Sequence, residues 1–204
     1  MKKRTVLYIS ILLGLFLWGC YPDGPDYAEE LDIVITQHND EYDFMAKATY
    51  ALPDRIVKVT GNLQEGDSPE FIPDATATQI LAQIDKNMQA LGWAKVAVSA
   101  NPDVLMAVAS MENTTVYYYY DYWYWWYGGY YPYWPYYPPV YAGSYTTGTL
   151  LMTMIDPKEL NANGNPVKQW TGMLNGILDS KFNPARVNPA IDQAFEQSPY
   201  LKTK

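Results

Sequence analysis

Apolar and β-branched residues alternate with polar ones in several short stretches, which is the pattern of half-buried β-strands. Between two of these stretches, residues 58–74 hold two glycines and two prolines and predict a loop. The Asn and Gly residues of 161–165 supply the positive φ angles that a hairpin turn needs. The predicted strands are residues 31–36, 47–52, 94–99, 104–116, 144–156 and 166–178.

Apolar residues at helical spacing predict a first helix over 75–91, with Asp74 as its cap and Gly92 at its left-handed end. A second, shorter helix is predicted to start at Asn188-Pro189, because Asn caps helices and Pro is favoured at the first helical position. Paired strands with only two helices predict an α+β fold, a mainly antiparallel sheet covered on one face. The apolar stripe of the first helix consists of Ile80, Leu81, Ile84, Met88 and Leu91.

The first 19 residues have the pattern of a secretory signal peptide. Residues 2–4 are basic, and the apolar run 6–18 would rise only about 20 Å as a helix, against about 30 Å for a bilayer core. Residues 17–20, Leu-Trp-Gly-Cys, resemble the lipobox of bacterial lipoproteins. That resemblance implies cleavage before Cys20, diacylglycerol on its sulfur and acylation of the new amino terminus. Two or more such chains hold a protein stably on a bilayer.

Residues 21–30 contain two prolines and a glycine, which predicts an extended tether of at most about 35 Å. The residue after Cys20 is Tyr21, and not the Asp that often marks inner-membrane retention in such lipoproteins. We therefore expect a bacterial cell-envelope protein with a lipid anchor in the outer membrane. The predicted organisation is a signal peptide over 1–19, an acylated cysteine and tether over 20–30, and one domain over 31–200.

Charge and composition argue against several classes of function. The formal net charge is −8, and it becomes −11 without the leader, so the chain repels nucleic acid and we expect no such partner. One histidine, His38, and one cysteine, Cys20, provide no His/Cys metal cluster, no internal disulfide and no Ser-His-Asp triad to propose. We expect a protein that is not an enzyme and holds no metal or cofactor. A hydrolase that uses an unrecognised pair among the 22 carboxylates is a less favoured alternative.

Asp40, Glu41 and Asp43 form an acidic cluster whose oxygens suit Ca²⁺. No twelve-residue calcium-loop pattern accompanies them, which favours a solvated turn. His38 precedes the cluster, and a lone histidine is more often a surface or packed residue than a catalytic base.

Residues 117–141 hold 17 of the 32 aromatic residues of the chain. The first arm, 117–127, lacks Lys, Arg and Glu, and after Gly128-Gly129 a proline recurs every three residues from 132 to 138, the repeat of a polyproline II helix. We expect a projecting loop with a β-like first arm and a polyproline-like second arm. The candidate ligand-binding or partner-binding residues are Tyr122, Trp123, Trp125, Trp126, Tyr130, Trp134 and Tyr137.

Three interpretations of the aromatic loop stay open. In the first, it packs on the open face of the sheet or on itself. In the second, exposed rings recognise a glycan or an envelope protein, and in the third they insert into the membrane interface. Burying one aromatic side chain removes about 150–250 Å² from water, so seventeen do not all fit one small core.

Several short motifs follow one another along residues 30–200. They are Asp43-Phe44 before 48–52, the helix that runs into 91–93, the strand 101–108, residues 148–150 before Ile155-Asp156, residues 167–172, and the closing helix. In this order they resemble the domain of unknown function family 4136. The resemblance implies an envelope lipoprotein of unassigned biochemistry with the α+β fold already argued. Residues 151–154 are more apolar than the family's pattern, and the aromatic insertion is not part of it.

These observations together predict a lipid-anchored, non-catalytic binding module that uses the exposed aromatic loop. The alternative is a purely structural envelope lipoprotein whose aromatic loop packs on its own sheet.

Overall fold

The computed structural model describes residues 33–60, 70–111, 148–162, 166–178 and 182–203. Within these ranges, eight strands form one sheet, and two helices pack on one face of it. This confirms the α+β prediction. The strands are β1 (Ile33–His38), β2 (Thr49–Ala51), β3 (Val57–Val59), β4 (Glu70–Phe71), β5 (Ala94–Lys95), β6 (Val104–Met111), β7 (Thr149–Leu160) and β8 (Pro166–Asn175), and the helices are α1 (Asp74–Ala90) and α2 (Pro184–Glu196).

Neighbouring strands run in the order β1-β8-β7-β6-β2-β5, and within the first four each strand is antiparallel to its neighbours. The first strand therefore pairs with the last one. β2 and β3 both lie parallel to β6 on its other edge, end to end, with Tyr50 opposite Val104 and Val57 opposite Ala109. β5 runs parallel to β2, and the short β4 pairs antiparallel with β3.

Both helices cover the same face of the sheet. The predicted stripe of α1 is buried from Ile80 to Met88, while Leu91 caps the helix end and is half-buried. These side chains and the apolar side of α2 form one core with Met106, Met152 and Trp170 from the central strands. α2 buries Val187, Ala190, Ile191, Ala194 and Phe195.

The other face of the sheet is also apolar and buried, although neither described helix lies on it. Leu105, Ala107 and Leu151 are at most 1 % exposed. β6 is buried at every position, and apart from Ser110 its sequence is a continuous apolar run, as expected for a strand buried on both faces. The buried side chains of this second face are Ala51, Val57, Val59, Leu105, Ala107, Ala109, Met111, Leu151 and Ile155.

The starts of both helices differ from the prediction. Asp74 is the first helical residue and not the cap, and the cap position is held by Pro73, which makes no side-chain hydrogen bond. α2 begins before the predicted start, because Asn183 and not Asn188 accepts the hydrogen bond from the amide of Ala185 (3.0 Å). Asn-Pro occurs twice here, and the first pair is the real cap, followed by proline at the first helical position.

Several strand boundaries also change. The predicted loop 58–74 contains part of β3 and all of β4, and only Ala94–Lys95 of the predicted strand 94–99 pairs, because Val98–Ala100 forms a 3₁₀ turn. β7 runs past its predicted end at 156 and reaches Leu160. Gly92 does adopt a left-handed conformation, with φ of 94°. Among the described helices, none combines the length and hydropathy needed to cross a bilayer.

Gly172 is enclosed by two buried side chains of the core. A Cβ atom on this residue would lie 2.6 Å from Cη2 of Trp170 and 2.9 Å from Cε of Met152. Trp170 is 1 % exposed and donates a hydrogen bond from Nε1 to Oγ of Ser198 (2.9 Å), which holds its ring in place. Only glycine fits here without moving these side chains.

We expect Gly172→Ala to lower the free energy of unfolding by about 1–3 kcal/mol, because overpacked cores force side chains off their rotamers. Urea unfolding measures the loss. Trp170→Phe removes the clashing ring atoms, so in the double variant the added cost of Gly172→Ala should shrink. Strict additivity of the two substitutions would contradict this account.

Candidate functional site

The two ends of the sheet differ in chemistry. At one end, Ile33 at the start of β1 lies opposite Asn175 of β8, and Thr149 of β7 lies opposite Met111 of β6. Oγ1 of Thr149 donates to Oδ1 of Asn175 (3.1 Å), which joins the two pairs. We call this the entry end, because the chain enters β1 there, leaves β6 there and returns to β7 there. Three strand spacings separate β1 from β6, which amounts to about 14 Å.

The opposite end, which we call the polar end, is built around a bulge in β8. Met154 lies opposite Trp170 but Ile155 lies opposite Lys168, so Gln169 has no partner in β7. Its fully buried side chain accepts a hydrogen bond from Nδ2 of Asn39 (3.0 Å) and donates to Oε2 of Glu159 (3.2 Å). The bulge thereby ties the end of β1 to the end of β7.

Asp156 is the fully buried centre of the polar end. Its Oδ2 accepts hydrogen bonds from the hydroxyl of Tyr42 (2.8 Å) and from Nζ of Lys47 (2.7 Å). Its Oδ1 accepts from the backbone amide of Lys158 (2.8 Å). Both carboxylate oxygens are thus engaged, and the residue ties the chain before β2 to β7.

The charge of Asp156 changes the titration of its partners. Burial, helped by the hydrogen bond to this carboxylate, raises the pKa of Tyr42 far above its ordinary value. Burial lowers the pKa of Lys47, but the hydrogen bond and the charge of Asp156 outweigh it, so this pKa lies above its ordinary value. Tyr42 therefore stays a neutral donor and Lys47 a cation, and neither is poised to exchange a proton near neutral pH.

Asp103 forms a second anchor beside this centre. Its Oδ2 accepts from the hydroxyl (2.8 Å) and amide (3.0 Å) of Thr49 and from the amide of Ala48 (3.1 Å), and its Oδ1 lies 3.4 Å from Nζ of Lys158. Burial raises the pKa of Asp103, but these hydrogen bonds outweigh it and hold the pKa at about 2. The carboxylate stays charged and fixes the start of β2 against β6.

His38 and the acidic cluster take structural positions at the polar end. The His38 ring stacks on Tyr200, with 3.6 Å between ring centroids, and its Nε2 lies 3.0 Å from Oδ1 of Asp40. Oδ1 of Asp43 accepts from the amide of Met45 and caps a short 3₁₀ helix. In the described ranges, no group of three His, Cys, Asp or Glu side chains is placed to hold a metal ion.

A shallow cavity lies beside His38 between β1 and β8. Its volume is about 140 Å³, whereas sites for small molecules usually enclose about 300–1,000 Å³. The space suits a few waters or a small polar group. The cavity is lined by Gln37, His38, Asn39, Lys168, Gln169, Trp170 and Thr171.

The site residues predicted from the sequence fall outside the described residues. Cys20 precedes the first described residue, and the seven aromatic candidates lie between 122 and 137. What the described structure adds is the attachment of these segments, since both join the domain at the entry end.

A family model matches residues 34–200, most of the chain, and its description is Domain of unknown function (DUF4136). The chain belongs to this family. The match confirms the resemblance drawn from the sequence motifs. It extends to structure, because a crystal structure of a DUF4136 family protein from Bacteroides thetaiotaomicron is 27 % identical, with a TM-score of 0.59, over 84 % of this chain and 97 % of that one.

Two more distant solved structures also match this DUF4136 chain. They are PelC dodecamers from Paraburkholderia phytofirmans, 15 % and 12 % identical, with TM-scores of 0.40 and 0.38 over 85 % and 84 % of this chain and 99 % of each of theirs. Likeness at this level carries no argument about the DUF4136 protein. Among curated proteins, no sequence matches this chain.

The polar end of the DUF4136 domain was not predicted as a unit from the sequence. In the sequence, Asp156 stands out only as part of the Ile155-Asp156 family motif. The usable signal was a single acid at the end of a long apolar strand, since a carboxylate in such a place needs a cationic partner. Lys47 gave no comparable signal, because 109 residues separate it from Asp156.

We expect Lys47→Met to lower the free energy of unfolding by about 3–5 kcal/mol at pH 7, because it leaves the buried charge of Asp156 without its cation. Lys95→Met is the matched control. Its ammonium pairs with Asp85 at 3.3 Å but is 44 % exposed, so a loss of about 0–1 kcal/mol is expected. Adding Asp156→Asn to Lys47→Met should restore part of the stability, and no restoration would contradict a stranded charge as the cause.

Proposed function

We propose that this DUF4136 protein is a lipid-anchored module of the bacterial cell envelope that binds a partner without catalysing a reaction. The observation that carries the proposal is the geometry of the entry end. The segment that follows Cys20 and the segment that contains 117–141 join the sheet on the same side of the domain. We infer from these neighbouring attachment points that the anchor and the contact loop act at the same membrane surface.

Distances at the entry end support this arrangement. Twelve residues separate Cys20 from Ile33, and extended chain spans at most about 3.6 Å per residue, or roughly 43 Å. The attachment points of the aromatic segment are Met111, the last residue of β6, and Gly148, which precedes β7, and both strands lie within about 14 Å of β1. If Cys20 is acylated, the aromatic segment attaches within reach of the outer-membrane surface that holds the lipid.

The aromatic composition of 117–141 favours binding as the role of that segment. Tyr and Trp dominate the energetics of contact surfaces because they bury a large area at low entropic cost, and they also stack on sugar faces. The proposed partner is a glycan or an envelope protein, with no nucleic acid, metal or cofactor involved. The proposed contact residues are Tyr122, Trp123, Trp125, Trp126, Tyr130, Trp134 and Tyr137.

The second face of the sheet favours a different role for the same segment. Its nine buried apolar side chains have neither α1 nor α2 over them. In this second candidate function, the aromatic segment packs on its own sheet, and the protein is a structural lipoprotein of the envelope.

Replacing 117–141 in the full chain with a Gly/Ser linker of equal length separates the two functions. A binding role predicts a cooperative thermal transition within a few degrees of the original one, together with lost capture of glycans on an array or of solubilised envelope proteins. A structural role predicts a lower and broader transition, because the apolar face is left in water. Changing only the seven proposed contact residues to Ser should abolish capture. The control variant carries Ser in place of the four tyrosines at 117–120 and should retain capture.

Mass spectrometry of the protein extracted from membranes tests the anchor. We expect a chain that begins at Cys20 and carries diacylglycerol and a fatty acyl group, and the Cys20→Ser variant should lack both and leave the membrane fraction. An exported chain with a free Cys20 thiol, or one that retains its first 19 residues, would overturn the proposed anchor. Neither outcome depends on whether the aromatic segment binds a partner.

A further inference from the structure

The two outer edges of the sheet are protected very differently. β5 ends the sheet on one side and has only two residues, one of which is Lys95. The two-residue β4, which pairs with β3 off the main strand order, includes Glu70. Short strands and charged residues are the usual means by which proteins prevent edge-to-edge pairing. The edge at β1 has neither.

β1 is six residues long and holds no Lys, Arg, Asp, Glu or Pro. It pairs with β8 without a register shift from Ile33 to His38, so no bulge turns its backbone away. In the part of the chain that the structure describes, no strand pairs with the outer edge of β1. Among the described residues, a regular row of outward backbone donors and acceptors on β1 is therefore left for another strand.

The side chains on β1 add an apolar strip to this edge. Ile33 is 54 % exposed and Ile35 is 38 % exposed, two of the four large hydrophobic residues so exposed among the described residues. Ile35 lies opposite Met173 on the second face, where Met173 is half-buried and continues the apolar surface inward. A strand added beside β1 would cover both isoleucines.

We propose that β1 is a self-association site at which a second copy of this chain pairs antiparallel and makes the two sheets continuous. A two-fold axis normal to the sheet at Ile35 keeps each face on its own side. In this register, Ile35 lies opposite Ile35 of the second copy, and Ile33 lies opposite Gln37 of the second copy. Ile33 is also a diagonal neighbour of Ile35 of the second copy. Cross-strand pairs of β-branched residues stabilise such a contact.

β1 is complementary to itself in this register, because no like-charged side chains face each other across the axis. Each chain carries a net charge of −8, so two copies repel one another overall, and an uncharged contact strip adds nothing to that repulsion. The stretch Ile33–His38 holds no acid or base apart from His38, and the paired segment 33–37 excludes that residue. A pairing of about five residues on each side buries less than the roughly 1,200 Å² of a standard interface, so the dimer is a weak and reversible one.

Cysteine cross-linking of the full chain tests the register. Under mild oxidation, Ile35→Cys should form a disulfide-linked dimer, because the two Cα atoms lie opposite each other. Thr36→Cys is the matched control, since its two Cα atoms would lie about 8 Å apart, beyond the reach of a disulfide. Wild type, which has Cys20 alone, sets the background. Equal cross-linking at 35 and 36, or none at 35, would overturn the proposal.

Light scattering and sedimentation of the uncross-linked chain give an independent measure. Ile35→Lys places two like charges face to face and should weaken dimerisation about tenfold. Gln79→Lys, on the exposed side of α1, adds the same charge and should leave the dimer intact. Because Ile35 lies at an exposed edge, both variants should keep the thermal midpoint. The proposal would also be overturned if Ile35→Lys left dimerisation unchanged. It would be overturned equally if the Ile35→Cys variant stayed monomeric and cross-linked only to a different protein.

Discussion

The register of β6, β7 and β8 is the constraint on which the rest of the structure depends. These three antiparallel strands carry the core of the helix-covered face, and β6 together with most of β7 is buried on both sides. A slip by one residue would move every inward side chain to the other face. Two points in β8 hold that register. At Gly172 a side chain would collide with Trp170 and Met152, and at the bulge Gln169 has no partner in β7.

The sequence could predict the fold class, the stripe of α1 and most central strands, because each of these depends on local periodicity. It could not predict β3 and β4, which are two short strands in or beside a Gly- and Pro-containing stretch. β3 forms because it pairs with β6, and β4 forms because it pairs with β3. The choice between Asn183-Pro184 and Asn188-Pro189 was equally undetermined. Both pairs carry the same capping signal, and in the structure Asn183 is the cap while Pro189 lies inside the helix.

The candidate functional residues also fall into two groups, those visible from local sequence and those visible only in the structure. Chemical signals that lie within a few residues, such as the Leu-Trp-Gly-Cys motif and the dense tyrosines and tryptophans, are visible in the sequence and stay predictions. The polar end joins residues more than 100 positions apart, so it became visible only with the structure. Its buried aspartate is fully satisfied by hydrogen bonds, which is what a structural anchor requires.

The pairing of the first strand with the last has a kinetic consequence. A chain that emerges from its amino terminus brings out β1 about 130 residues before its partner β8. Loop closure over such a distance is slow, and topologies dominated by distant contacts fold late. Until β8 has been synthesised, β1 cannot pair with it. The complete sheet therefore forms only when almost the entire polypeptide is available.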